Sequence, residues 1–123
     1  AAALAEFEQR LQSAVAYLDN LVPPGAEPNT DQISAIVEIC AWVHAEWVRI
    51  HPFANGNGRT ARLWANSLAL RYGLPPFVGL RPRPGGGDYA LASEKAMRGD
   101  WAPTVATLHR LLDDFLKDLG PDT

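Results

Sequence analysis

The chain has a single cysteine, Cys40, so no internal disulfide framework can form, and a reducing compartment, the cytoplasm by default, is the expected setting with export as an effector left open. No run of about eighteen apolar residues is present to span a bilayer, and the N-terminus, Ala1-Ala2-Ala3-Leu4, lacks the basic segment and cleavage site of a signal peptide. Excess positive charge is missing too. A net charge of -3 and a pI near 5.5 supply no overall field for holding nucleic acid, so neither nucleic acid nor membrane is an expected partner. No stretch alternates apolar and polar residues persuasively enough to read as a strand. His44, His51 and His109 with Cys40 lack compact zinc-ligand spacing, and no GxxxxGK[ST] loop marks a P-loop NTPase.

What remains reads as a single domain over 1–123. Its 123 residues, 47% of them hydrophobic and 20% charged, suffice for one buried core. Leu4, Phe7, Leu11, Val15 and Leu18 recur every three or four positions and predict an amphipathic helix over 4–20. Pro23-Pro24-Gly25 and Pro28-Asn29 end it. Thr30 or Asp31 is the expected cap of a central second helix, which carries the wide apolar stripe Ile33, Ile36, Val37, Cys40, Val43, Trp47 and Ile50. The pattern breaks at Pro52, Gly56 and Gly58, then resumes through Ala61, Leu63, Trp64, Leu68 and Leu70 until Gly73. From Leu74 to Asp88 the prolines and the run Gly85-Gly86-Gly87 predict an irregular, mobile surface loop. Helices over 89–97 and 101–119, the latter with Pro103 in its first turn, complete an all-α class.

Chemistry concentrates in the twelve residues His51-Pro-Phe-Ala-Asn-Gly-Asn-Gly-Arg-Thr-Ala-Arg62, which join two helices. Gly56 and Gly58 permit positive φ and close backbone approach, and the helix behind them offers unpaired N–H groups and a partial positive charge suited to phosphate oxygens. Arg59 and Arg62 stand three apart on that helix, where both guanidinium groups are expected over one face. Cations in a first helical turn oppose the dipole by roughly 0.3–1 kcal/mol, so a bound polyphosphate accounts for them; salt bridges to acidic side chains are the bland alternative. His51 precedes the nest by a few residues, where an imidazole can take a proton from a hydroxyl attacking a bound phosphate. Phe53 is the expected anchor of the loop in the core. His44, seven residues earlier, reads as a structural histidine donating to a backbone carbonyl.

This segment resembles the signature of the Fic family, histidine-x-phenylalanine-x-(Asp or Glu)-glycine-asparagine-glycine-arginine-x-x-arginine, at every defined position but one. His44, Ile50, Leu74-Pro75-Pro76, Tyr89 to Leu91, Gly99-Asp100 and Pro103 are similar to weaker family positions. The resemblance implies a compact helical fold and transfer of AMP from ATP to a Ser, Thr or Tyr hydroxyl of a target protein. It implies His51 as general base, Gly56, Asn57 and Gly58 as an anion hole for the α and β phosphates, and Arg62 at the terminal phosphate. Arg59 would support loop and phosphates, and Phe53 would pack beneath. It also implies a magnesium ion bridging the phosphates, but Asn55 stands where the family carries the acid that holds it, so weak metal binding is expected.

Met97 stands near where relatives place a polar side chain against adenine, which leaves the base preference open. The family's β-hairpin flap precedes the helix read here over 4–20, so it is expected upstream, rebuilt elsewhere, or lost. Ser34 to Glu38 has the spacing of the family's inhibitory motif, but Ile39 follows it and it reads as ordinary helix; any autoinhibition is expected from upstream sequence or an antitoxin-like chain. The competing readings are a nucleotide-binding domain without transfer, because Asn55 fails to hold metal, and transfer of UMP, phosphocholine or phosphate instead of AMP.

Overall fold

The computed structural model describes residues 2–23 and 25–119. Its order is α1 (Ala2–Leu21), α2 (Thr30–Ile50), α3 (Asn57–Arg71), α4 (Asp88–Met97) and α5 (Ala102–Asp118), with no strand among the described residues. The all-α expectation holds.

α2 is the axis of the domain. Ile36, Val37, Cys40, Ala41, Trp42, Val43, His44, Ala45, Trp47 and Val48 are all buried, so the helix is covered nearly all round, and α1, α3, α4 and α5 each pack against it. Ala61, Ala65 and Ala69 recur every fourth residue along α3 with no exposed surface, and these small side chains bring α3 close against α2. Cys40 donates from Sγ to the Ala65 carbonyl at 3.4 Å, and burial pushes its thiol up to about 12, so it acts in packing and not as a nucleophile. Phe7 carries α1 into the core, stacked on Trp42 at 5.7 Å and meeting Trp47 and Trp64 edge-on.

The cap of α2 differs from expectation. Asn29, not Thr30 or Asp31, takes that place: its Oδ1 accepts from the Gln32 N–H at 2.9 Å and the Gln32 Oε1 accepts from the Asn29 N–H at 2.8 Å. A reciprocal capping box satisfies two backbone donors, which one hydroxyl or carboxylate does not. Gln32 also donates to the Leu21 carbonyl at 2.8 Å, tying the end of α1 to the start of α2.

Residues 74–88 are irregular, as their composition dictates, yet side chains from two helices fasten them. Asn66 of α3 donates to the Val78 carbonyl at 2.8 Å and accepts from its N–H at 3.0 Å, which buries Phe77 and Val78. Arg62 donates to the Leu80 carbonyl at 3.3 Å. Arg110 of α5 reaches Gly85 at 3.0 Å and pairs with both oxygens of Asp88 at 2.7 Å. These attachments lay the segment along the start of α3 and deliver Tyr89 to the interior.

Candidate active site

α2 stops at His51, whose N–H still bonds the Trp47 carbonyl at 3.0 Å while its backbone turns left-handed, φ 53 and ψ 57. Pro52 forbids a further helical turn. His51 is the only described non-glycine residue with positive φ, a conformation that costs on the order of 1 kcal/mol and gathers at functional positions. Its side chain is exposed at the rim of the loop.

α3 begins after Gly56, left-handed at φ 83, with no side chain capping the helix. The first bond of the helix runs from the Thr60 N–H to the Gly56 carbonyl at 3.0 Å, so the N–H groups of Asn57, Gly58 and Arg59 have no acceptor within it. The first turn carries no acid. Three free donors, a positive helix end and no resident carboxylate give this turn the chemistry that suits an anion.

Gly58 departs from expectation. It lies inside α3 without positive φ, and its missing Cβ matters sterically, since a Cβ there would sit 3.2 Å from Arg62 Nη1. Asn57 is also differently engaged. Its buried side chain donates to the Phe53 carbonyl at 2.7 Å and accepts from the Phe53 N–H at 3.0 Å, so the amide group clamps the loop and only the backbone N–H is left for an anion. This clamp draws the chain two residues beyond His51 onto the first residue of α3.

Phe53 is not the expected core anchor. Half of it is exposed, with its ring edge-on to Trp47 at 5.9 Å, because Phe7, Trp47 and Trp64 already close the core beneath. The loop is anchored through main chain and Asn57. The two arginines also part company. Arg59 faces solvent, while Arg62, one turn on and beside the buried alanine stripe, is 93% buried, its residual exposure being 7%. Among the described residues no carboxylate pairs with Arg62, and its buried Nε has no partner. Ser34 to Glu38 lies within α2 as read, and Glu38 forms no ion pair with Arg62.

His44 is structural, but its partner is the Tyr89 hydroxyl at 2.8 Å from Nε2 and not a backbone carbonyl; Nδ1 is buried without a partner. Burial, then the Arg62 charge, lowers its pKa from 6.5 to about 4. The unfolded chain therefore takes up a proton below pH 6.5 that the folded chain refuses until about pH 4, and stability must fall as the pH drops through that window, by on the order of 3 kcal/mol in full. Asp19 and Asp88 are held below the ordinary carboxylate value of 3.8 by hydrogen bonds from Arg71 and Arg110, so their contribution is lost only at lower pH. Urea unfolding between pH 7 and 4.5 should show the decline in the wild type and lose it in His44→Gln; equal slopes would contradict the assignment.

Asn55 is exposed, and the loop contributes no carboxylate. Among the described residues no group of three His, Cys, Asp or Glu converges on a metal site. One neutral amide oxygen does not fit a resident magnesium ion, which seeks anionic oxygens in octahedral array. Met97 ends α4 half-exposed. A concavity of about 810 Å³ lies at the opposite end of α3, where Arg71 pairs with Asp19 and the Tyr72 hydroxyl donates to the same carboxylate, so these groups satisfy one another and chemistry is better sought at the loop. Tyr89 is not among the site residues that the sequence suggests; its signals there are the resemblance of Tyr89 to Leu91 to weaker family positions and its place as the second residue of α4, after Asp88 and the glycine run.

Residues 1–69 match the profile of the Fic/DOC family. Among curated proteins, a protein adenylyltransferase Fic of Nematostella vectensis is 35% identical over 83 residues, 56% of this chain and 19% of that protein. Its counterpart in Drosophila erecta is 39% identical over 103 residues, 72% of this chain and 20% of that protein. That of Aedes aegypti is 50% identical over 42 residues, 34% of this chain and 8% of that protein. The chain thus spans about a fifth of the length of the first two relatives. No solved structure matches. Among the described residues no helix is long and apolar enough to cross a membrane.

Proposed function

Because this chain belongs to the Fic/DOC family, we propose that it transfers AMP from ATP to a Ser, Thr or Tyr hydroxyl of another protein. The observation that carries the reading is the Arg62 guanidinium, buried against the open first turn of α3 with no carboxylate partner among the described residues. A buried cation without a counter-ion costs several kcal/mol, and a polyphosphate at the helix start supplies the missing charge.

In this reading His51 accepts the proton of the target hydroxyl as its oxygen attacks the α-phosphorus. The new O–P bond forms as the bond to the β-phosphate oxygen breaks, and pyrophosphate leaves. The charge gathering on the departing phosphates is met by the N–H groups of Asn57, Gly58 and Arg59 and by Arg62, which are in place beforehand. Gly58 admits the guanidinium to the first turn. Arg59 adds a solvent-screened charge. No step is assigned to magnesium.

The test is incubation of the protein with ATP and candidate targets, followed by mass spectrometry of the targets. The reading expects an added AMP on a hydroxyl side chain. A different added group would replace AMP by UMP, phosphocholine or phosphate, and no addition despite ATP binding would favour a binding domain without transfer. Asn55 favours that second reading specifically, since it withholds a metal-binding charge.

Replacing Asn55 by Asp adds one negative oxygen ligand, worth on the order of 1–2 kcal/mol at a surface site. The magnesium concentration for half-maximal nucleotide binding should fall about tenfold. Titrating magnesium at fixed ATP measures it, and an unchanged requirement would count against a metal role for position 55.

A further inference from the structure

Arg62 carries only donors, so the 3.1 Å contact between its Nη1 and the Tyr89 hydroxyl has one polarity: the tyrosine oxygen accepts. The single O–H of Tyr89 is then free to donate to His44 Nε2 at 2.8 Å, which requires that nitrogen to be unprotonated. All three side chains are buried. The guanidinium carbon of Arg62 lies 5.8 Å from the Tyr89 ring centroid, and Nη2, which carries two N–H groups, gives one of them to the Leu80 carbonyl at 3.3 Å. The guanidinium is thus held on one side by a hydroxyl that gives its proton away, and a hydroxyl so polarised is a stronger acceptor. Its buried Nε remains without a partner.

We infer that Tyr89 is a positioning residue for the nucleotide: through its hydroxyl, backed by His44, it fixes the Arg62 guanidinium at the start of α3 to receive the outer phosphates of ATP. The inference rests on reading Arg62 as a phosphate ligand. An arginine side chain rotates about four bonds, and losing one of its fixed contacts spreads the charge over several positions, which weakens binding of the outer phosphates specifically. AMP, which lacks those phosphates, is indifferent to the change.

The preference for ATP over AMP is therefore the quantity to measure, by calorimetry on the whole chain. Wild type should prefer ATP. Tyr89→Phe keeps the ring and removes the oxygen; it should lower that preference about tenfold, with AMP affinity within about twofold. In an Arg62→Ala background the same substitution should add nothing, a result that general loosening of the fold does not produce. His44→Gln, whose amide oxygen takes the tyrosine proton, should retain the preference. His44→Leu, which leaves Tyr89 in place without an acceptor, should lower it, and it supplies the readout if Tyr89→Phe does not fold. An unchanged preference in Tyr89→Phe and His44→Leu, or an undiminished effect without Arg62, would overturn the inference alone. A wild-type protein that binds ATP no better than AMP would overturn the Arg62 reading and this inference together.

Discussion

If the proposed reaction is right, replacing His51 by alanine should lower the rate of AMP transfer by about 10²–10⁴-fold, the range for loss of a general base, while ATP affinity stays within about twofold. The separation follows from placement: the imidazole stands at the end of α2, whereas the donors for phosphate belong to α3. The backbone complicates the variant, because His51 is left-handed at φ 53 and alanine is less at ease there than histidine, asparagine or glycine. His51→Asn provides the control, since asparagine tolerates that conformation and has no basic nitrogen. Both variants should lose transfer equally and unfold within about 1 kcal/mol of wild type. Retained transfer in His51→Asn, measured as AMP incorporated into a target, would show that the residue serves the turn and not the proton.

The second large effect belongs to Asn57. Its side chain reproduces a pair of peptide hydrogen bonds to Phe53, and Asn57→Ala strips both at once, leaving an N–H and a carbonyl of a partly buried loop unpaired. Each such group costs about 1–3 kcal/mol where water cannot replace the partner, and stability should fall by about that amount in total because the loop is only half covered. Nucleotide affinity falls as well, since the clamp holds the loop against the first turn of α3. Asn57→Asp is the sharper variant. It is nearly isosteric, but both side-chain oxygens are acceptors, so one faces the Phe53 carbonyl, and a negative charge now stands at the nest. ATP affinity should therefore rank wild type above Asn57→Ala above Asn57→Asp. A binding series in which Asn57→Asp equals wild type would remove the nest from the account.

Much of this was legible in the residue pattern. The apolar periodicities and the breakers at Pro23, Pro52 and Gly73 mark the ends of the first three helices because spacing and backbone restriction are local properties. The loop from His51 to Arg62 was legible for the same reason: glycine, histidine and arginine declare their chemistry without knowledge of the partner. What escaped is tertiary. Phe53 reads as a core residue until Phe7, Trp47 and Trp64 are seen to occupy the space, and Gly58 reads as a turn residue until Arg62 is seen lying across it. Arg59 and Arg62 share a face by spacing alone, yet the alanine stripe of α3 draws only one inward. Asn66 and Tyr89 lie 12 and 27 residues from Val78 and Arg62, their respective partners, and nothing in either neighbourhood announces those bonds.

In the proposed reaction the start of α3 grips phosphate, and amide chemical shifts during titration with a non-cleavable ATP analogue test that most directly. The largest changes are expected at the N–H groups of Asn57, Gly58 and Arg59 and at the Arg62 side chain, all saturating with one affinity. Those signals staying in place while the analogue binds, with the changes gathered instead around Asp19, Arg71 and Tyr72, would contradict it.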